Sequence, residues 1–441
     1  MIIDPNVIRI ELRQNIQVLL EAKDWKRKQL AKASGLDRVT ISNILNSKQT
    51  MQLNQLDAIT QAFELPQGHF YDYFIAECCN DQGRLRPGKL GEFVLKCSLL
   101  NKHRTIGMLM NVLLEDEDQH KIITILLDIA EKLYQTPEKK TALPYYEKII
   151  AIDQKRGERV ALSLYRRFMI VKELDLRQKG REAFIQFLPY LNILSQEGSE
   201  NLLFDAYRQV LLYYEIVEEW KSLLHHAYEF ERLSRRTNDR VAWSEALVFQ
   251  ITACIGQRDY LKALQIIEQL SLMGDEYERI AEGKKLLVLI TIGRVQQIET
   301  YLGWARSREE KVQLIPAAIN SYLQHKMIKD ASVFMESNGD DLEDGIHATD
   351  YDKQGLVMRL IEARSEYYFA TGDMFLALFD LGNLIEQSWK LGNIKRMKQL
   401  AEKVIHLFMV HLKMMTTVFG NTTKEKDVPP SAKTKGTPDQ T

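Results

Sequence analysis

The chain has 441 residues, of which 45% are hydrophobic and 27% are charged, and its formal net charge is −1. This balance is typical of a soluble protein with a large core, and it excludes binding to nucleic acid through overall basic charge, so any DNA contact needs a local basic surface. Prolines and glycines are few, and the abundance of Leu, Ile, Glu, Lys, Gln, Arg and Ala predicts an all-α fold.

The four cysteines, Cys78, Cys79, Cys97 and Cys254, form no CxxC pair, so we expect free thiols in a reducing compartment. The N-terminal residues lack a positive segment followed by an apolar run, and no uncharged apolar stretch reaches about 18 residues. Neither a signal peptide nor a membrane span is therefore predicted. We expect a cytoplasmic protein that contacts no membrane and holds no metal ion or cofactor.

Residues 1–75 are predicted to form a small domain of short helices, because apolar residues recur there at helical spacing. The predicted helices cover 5–22, 26–34, 38–45, about 53–66 and 68–74. Ala31 is small where two helices would cross, Gly35 suits a left-handed turn, and Asp37 can cap the following helix. The segment 25–46 therefore predicts a helix-turn-helix.

Over about 70 residues this pattern resembles the XRE family of phage-repressor-like DNA-binding domains. The resemblance makes the helix from Arg38 the recognition helix. The residues expected to contact DNA are Lys26, Arg27, Lys28, Arg38, Val39, Thr40, Asn43 and Lys48. In the recognition helix, Arg can bond guanine, Asn can bond adenine, and the Val and Thr methyl groups can touch thymine. The cations before that helix are expected to meet phosphates.

Two positions depart from the family pattern. Lys26, Arg27 and Lys28 stand where the family usually has a Ser or Thr cap followed by Gln. Three cations at a helix N-terminus oppose the helix dipole unless an anion such as a DNA phosphate binds there. Ser47 stands where the family often has Gly after the recognition helix, which affects the backbone contacts expected of the next loop.

Residues 76–91 are predicted to form a linker, because three glycines and one proline fall in a short polar stretch. A basic cluster near this segment either lines DNA beside the operator or is simply solvated. Its members are Arg84, Arg86, Lys89, Lys96, Lys102 and Arg104. Residues 92–418 are predicted to form a series of consecutive helices. Residues 419–441 lack apolar periodicity and are predicted to be a disordered tail.

The helices after the linker repeat at a spacing of about 33–46 residues. Ala142, Ala263 and Ala377 each stand near the start of a second helix, where only a small side chain fits a close helix crossing. This pattern resembles degenerate tetratricopeptide repeats, which stack into a right-handed superhelix with a concave inner surface. A non-repeating helical bundle is the alternative.

The whole arrangement resembles the Rap/Rgg/NprR/PlcR/PrgX class of peptide receptors, which includes phage arbitrium receptors. The resemblance implies a short signalling peptide in the concave groove of the array, a homodimer, and double-stranded DNA with a palindromic operator as partners. Side-chain amides, arginines and aromatic residues suit an extended peptide. The residues expected to bind it are Arg166, Tyr207, Arg208, Tyr214, Trp243, Gln250, Asn320, Arg364 and Tyr367.

Two other functions remain open at this point. The array could bind a protein partner, such as an antirepressor or a response regulator, or it could support a phosphatase-like enzyme. No HExxH, Walker or GxSxG motif is present, so the chain is not expected to be an enzyme. His225 and His226 are expected to point apart, since adjacent helix positions diverge. The apolar residues of 384–415 suggest either a dimer interface or a capping helix.

Overall fold

The computed structural model of the protein describes residues 4–80, 86–114, 118–195 and 200–422. Within these ranges the secondary structure is helical and no β-strand occurs, so the all-α prediction is confirmed. The chain divides into two compact units, residues 1–206 and 207–441.

Eleven α-helices lie entirely within the described residues of the first unit. They are α1 (Pro5–Ala22), α2 (Arg27–Ser34), α3 (Arg38–Leu45), α4 (Leu53–Ala62), α5 (Tyr71–Phe74), α6 (Pro87–Leu99), α7 (His103–Leu114), α8 (Gln119–Tyr134), α9 (Leu143–Ile152), α10 (Glu158–Leu174) and α11 (Arg181–Phe187). Helices α1–α5 form the head, whose predicted helices are therefore confirmed to within a few residues.

The boundary between the units falls inside α12 (Glu200–Ile216). The helices that follow are α13 (Trp220–Thr237), α14 (Arg240–Gly256), α15 (Tyr260–Ser271), α16 (Asp275–Thr291), α17 (Gln297–Trp304), α18 (Arg308–Gln324), α19 (Ile328–Ser337), α20 (Gly339–Ile346), α21 (Gln354–Thr371), α22 (Met374–Lys390) and α23 (Ile394–Thr422). No helix in the described ranges is long and apolar enough to cross a membrane.

The small residues of the sequence repeat lie where helices pack closely. Ala142, Ala263 and Ala377 are fully buried. Asp259 and Asp373 cap α15 and α22, since their side chains accept hydrogen bonds from backbone N–H groups three residues later, at 3.2 and 3.3 Å. The chain therefore turns and restarts a helix at the sites that the repeat marks.

The segment predicted as a linker, 76–91, does not separate the head from the body. A one-turn 3₁₀ helix at Ile75–Cys78 is buried, and α6 starts at Pro87. Phe93 of α6 lies edge-on to Tyr71 and Phe74 of the head, with ring centroids 5.3 and 4.9 Å apart. One apolar core therefore runs from α1 to α9. Residues 81–85, with Arg84, lie outside the described ranges.

The C-terminal end differs from the sequence expectation in two respects. Leu384, Leu391, Leu400 and Leu407, which suggested an interface, are buried inside the second unit. Helix α23 continues to Thr422, past the expected start of the tail at 419, and residues 423–441 lie outside the described ranges. Val404 of the same set is half-buried, and the side chain of Leu412 lies outside the described residues.

Phe93→Ala should destabilise the protein by about 3–5 kcal/mol, because it leaves a cavity in the core shared by head and body. Leu99→Ala, at the 58% exposed end of the same helix, is the matched control and should change stability little. Urea denaturation of the full chain measures both. Equal stability of the two variants would contradict the shared core.

Candidate nucleic-acid interface

Two local features form the turn of the helix-turn-helix. Gly35 ends α2 with φ +70°, a left-handed conformation that favours glycine. Asp37 then caps α3 by accepting a hydrogen bond from the backbone N–H of Thr40 at 2.8 Å. The Thr40 hydroxyl also donates to Asp37, and these bonds lower the pKa of the Asp37 carboxyl. Both features agree with the sequence prediction.

Helix α3 buries one face and exposes the other. Ile41 and Ile44 lie in the head's core, whereas Arg38 and Val39 are exposed and Asn43 is half-buried. Because the Thr40 hydroxyl is bonded to Asp37, the methyl group is the part of Thr40 that is left to touch a base. The exposed face thus presents one arginine, one amide and two apolar groups.

The N-terminus of α2 carries three consecutive cations. Lys26 is the N-cap, and Arg27 and Lys28 open the helix, with no acidic residue in the first turn. The Gln29 side chain accepts the Lys26 backbone N–H at 2.6 Å. Arg27 leans toward α3, where its guanidinium donates to the Ser42 hydroxyl at 3.4 Å. The backbone N–H groups and the three cations therefore create a positive electrostatic potential at the N-terminus of α2.

None of the five expected DNA-contacting cations has an acidic partner within the described residues. Arg27 is half-buried, and the exposed ones are Lys26, Lys28, Arg38 and Lys48. Elsewhere in the head, by contrast, Lys23 lies 3.5 Å from Glu64. The start of α2 and the exposed face of α3 therefore carry cations that no acidic side chain neutralises.

Ser47 keeps the backbone geometry that glycine has in the family pattern. Its φ is +57°, in the left-handed region. The next residue, Lys48, closes α3 by donating its backbone N–H to the Asn43 carbonyl at 2.8 Å. The substitution of Gly by Ser therefore preserves the turn after the recognition helix.

A buried ion pair that the sequence did not predict holds α3 in place. Arg13 is 7% exposed and Glu77 is fully buried, and their charged groups are 2.8 Å apart. The Arg13 Nε donates to the carbonyl of Ile44 at 2.8 Å. The other oxygen of Glu77 accepts the Met51 N–H at 3.0 Å. The pair thus fixes the C-terminal end of α3 and the loop behind it.

The second basic cluster mainly joins the body to the head. Lys96 pairs with Asp57 at 2.5 Å, and Lys89 donates to the Thr50 hydroxyl at 3.5 Å. Arg104 is 4.0 Å from Asp72. Three members of this cluster therefore contact helices α4 and α5 or the loop that precedes α4.

Several residues expected to bind a peptide are engaged in the protein's own packing. Tyr207 stacks on Phe230 with ring centroids 5.4 Å apart and is 3% exposed. Gln250 is 1% exposed and donates to Glu231 at 2.7 Å. Arg166, in the first unit, pairs with Glu131 at 3.1 Å and lies over the Tyr134 ring.

The remaining candidates differ in exposure. Arg364 is paired with Asp380 at 2.8 Å and is 13% exposed. Tyr214 stacks on His226, and the Tyr367 hydroxyl lies 3.1 Å from that of Ser332. Arg208 and Asn320 have accessible polar groups: Arg208 is 33% exposed and bonded to Glu245, and Asn320 is exposed. Trp243 is half-buried under Arg235, and its indole N–H is buried.

The expectation that His225 and His226 point apart is wrong. Their ring centroids are 5.0 Å apart, and the Glu229 carboxylate lies 3.7 Å from His225 Nε2 and 2.9 Å from His226 Nδ1. Burial lowers the pKa of His226. Within the described residues this is the one group of three His, Cys, Asp or Glu side chains whose ligand atoms, all within 4.8 Å of one another, could hold a metal ion.

Residues 15–73 match the family of Cro/C1-type HTH DNA-binding domains. The match begins within α1, ends within α5, and includes both helices of the helix-turn-helix. No curated protein matches the chain. The chain therefore carries a Cro/C1-type DNA-binding domain at its N-terminus, followed by a helical body.

Glu77→Gln should destabilise the protein by about 3 kcal/mol, because Arg13 would remain as a buried charge without its counter-ion. Glu64→Gln is the matched control: Glu64 is 84% exposed, and its pair with Lys23 contributes little in water. Denaturation of both variants measures the difference. A loss below about 1 kcal/mol in Glu77→Gln would contradict the anchoring role of the pair.

Proposed function

We propose that the chain is a cytoplasmic transcription regulator that binds a palindromic operator as a homodimer and responds to a short signalling peptide. The observation that carries this proposal is the exposed face of α3 beside unpaired cations, on a Cro/C1-type head that shares its core with the helical body. A head of this type binds DNA. Because α6–α9 of the body share the core of the head, a change in those helices has a physical route to the head.

The DNA contacts follow from the chemistry of the exposed face. Arg38 suits the two acceptors of guanine, and Asn43 suits adenine. Val39 and the Thr40 methyl group suit thymine methyls. The cations Lys26, Arg27, Lys28 and Lys48 bind phosphates, and the α2 N-terminus adds backbone N–H donors. Phosphate contacts orient the head, and α3 selects the sequence.

Arg38→Ala and Lys28→Gln should weaken DNA binding in different ways. Loss of Arg38 should remove about 1–3 kcal/mol of discrimination between bases at one base pair. Loss of Lys28 should weaken binding to all DNA sequences alike and should reduce the slope of log affinity against log salt concentration by about 1. Both side chains are exposed, so folding stability should not change. Binding titrations at several salt concentrations check this. An Arg38→Ala protein that selects the same operator equally well would contradict the assignment of α3.

The peptide site is assigned to the second unit. Arg208 and Asn320 lie on α12 and α18 and have accessible polar groups, and Trp243 lies half-buried on α14. The Trp243 indole N–H is buried without a hydrogen-bond partner in the described structure, so a backbone carbonyl of a ligand would satisfy it once the Trp243 ring turns outward. An extended peptide bonds to such donors through its main chain. Tyr207 and Gln250 act as core residues in this proposal.

Ion pairs within the second unit provide an element that a peptide can shift. Arg359 on α21 lies 3.5 Å from Glu215 on α12. Arg396 on α23 contacts Glu218 in the α12–α13 turn and pairs with Glu362 at 2.6 Å. These pairs tie the first helix of the unit to its last helices. Conformations of the unit can differ in which of these ion pairs are formed. A ligand that binds one conformation more tightly than another shifts the population toward the first.

The proposal predicts a short open reading frame beside the gene that encodes the peptide, and that peptide is the one used to test peptide control. Sequencing of the DNA bound to the full-length protein, with and without the peptide, should show a change in operator occupancy. Equal occupancy in both samples would overturn peptide control at the DNA-binding step. Binding of an antirepressor or response regulator to the body would then be the function to test.

Glu218→Gly should alter the peptide response, whereas Lys326→Gly should not. Both residues adopt φ +57° in turns between helices, so both substitutions relieve about 1 kcal/mol of backbone strain. Only the first removes the carboxylate that contacts Arg396. We expect a shift of at least about five-fold in the half-maximal peptide concentration for Glu218→Gly. The same half-maximal peptide concentration for both variants would contradict a role of the Glu218–Arg396 ion pair in the peptide response.

A further inference from the structure

Helix α13 brings two histidines and one glutamate together. Glu229 follows His225 by four residues and His226 by three, so the three side chains fall in a sector of roughly 100° on the helix, with Glu229 between the two rings. The ligand atoms of the three side chains all lie within 4.8 Å of one another. A single helix thus presents three metal-ligating groups to one point.

The spacing of these atoms is close to that of a metal site. Zinc forms bonds of about 2.0–2.1 Å to imidazole nitrogen and carboxylate oxygen, so at tetrahedral angles two of its donor atoms stand about 3.3 Å apart. The Glu229 carboxylate lies 3.7 Å from His225 Nε2 and 2.9 Å from His226 Nδ1, on either side of that value. Small side-chain rotations therefore bring all three groups to bonding distance of one ion.

No cation competes for the Glu229 carboxylate among the residues that the structure describes. Its ion-pair partners there are the two histidines, and no lysine or arginine pairs with it. Two residues away, by contrast, Glu231 pairs with Arg235 at 2.6 Å and accepts a hydrogen bond from Gln250 at 2.7 Å. The negative charge of Glu229 is therefore available to a metal ion.

The surroundings hold one imidazole ring in place and leave the other accessible. His226 is 16% exposed and stacks on Tyr214 of α12, with ring planes 7° apart, which fixes its orientation. His225 is 68% exposed, so an ion can enter from solvent on its side. Without an ion, His226 Nδ1 donates a hydrogen bond to Glu229, because a carboxylate can only accept. When a metal takes Nδ1, the ring proton moves to Nε2 and the imidazole stays neutral.

We propose that His225, His226 and Glu229 bind one zinc ion per chain, with a water molecule in the fourth position. Two imidazoles and one carboxylate suit zinc and neighbouring transition metals, whereas calcium and magnesium prefer oxygen ligands. Three protein ligands leave one position open, so the ion can accept a donor group from a further molecule. The site goes beyond the proposed DNA and peptide binding and depends on neither.

A second histidine–glutamate pair in the same unit lacks these features. His347 Nε2 lies 3.9 Å from Glu343 at the same four-residue spacing, and both side chains are largely exposed. Within the described residues no third ligand stands beside this pair, and Glu343 also contacts Arg364. This pair is therefore expected to bind zinc weakly, and His347→Ala is the matched control.

The first test measures zinc binding to the metal-free, full-length protein by competition with a chromophoric chelator. We expect one strong site per chain. His225→Ala and Glu229→Gln should each weaken it at least about ten-fold, since even groups that only support a metal ligand contribute about 10–100-fold to affinity. His347→Ala should bind zinc as the unsubstituted protein does. The described cysteines are buried and do not compete.

The outcomes of this titration decide the proposal. Weaker binding in His225→Ala and Glu229→Gln, with His347→Ala unchanged, supports the site on α13. Unchanged affinity in the first two variants, an equal loss in all three, or no strong site in the unsubstituted protein overturns it. None of these results bears on DNA or peptide binding.

A second test reads the coordination with cobalt(II) in place of zinc. Four-coordinate cobalt(II) absorbs visible light much more strongly than the six-coordinate ion. The unsubstituted protein should therefore show strong visible bands with one equivalent of cobalt(II), and His225→Ala should lose them because the ion then gains water ligands. His225 is mostly exposed, so this variant keeps its fold. Weak bands in the unsubstituted protein, or equal bands in both proteins, would contradict the three-ligand site.

Discussion

The buried ion pair between Arg13 and Glu77 is the contact on which the DNA-reading surface depends. Removing either charge would leave the other buried and uncompensated, so the two are retained together. Through Arg13 the pair holds the end of α3, and through Glu77 it holds the loop before α4. Glu77 itself sits in the turn that leads to α6. The carbonyl of Cys78, next to Glu77, accepts the backbone N–H of Arg86, the N-cap of α6, at 2.8 Å. Polar contacts therefore lead from the start of α6 to the end of α3.

Features that depend on residues close together in the chain could be predicted from the sequence. Gly35 and Asp37 act within four residues of their positions, so both ends of the helix-turn-helix turn could be predicted. Arg13 and Glu77 are far apart in the chain, and neither stands in a pattern that marks a partner. The linker prediction failed for a related reason: glycine and proline content describes local flexibility, whereas the burial of Ile75 and Phe93 arises from tertiary contacts.

The peptide site shows the limit of residue type as evidence. An aromatic or arginine residue at helical spacing has the same sequence signature in a core and in a groove. Tyr207 stacks inside the unit, and Arg364 is held by Asp380, whereas Asn320 is exposed. Conversely, Phe375 and Phe379 fit the same apolar helix pattern as core residues, although both are exposed. Whether such a residue lies in the core or on an accessible surface depends on its side-chain contacts in the folded protein.

The uninterrupted core from α1 to α9 has a consequence for modularity. A DNA-binding head on a flexible tether can be exchanged between proteins by recombination at the tether. Here a cut near residue 80 would strip Phe93 from Tyr71 and Phe74 and Lys96 from Asp57. The unit that can be inherited or grafted intact therefore includes α6–α9, and changes in operator choice are expected to arise on the surface of α3, not by replacement of the head.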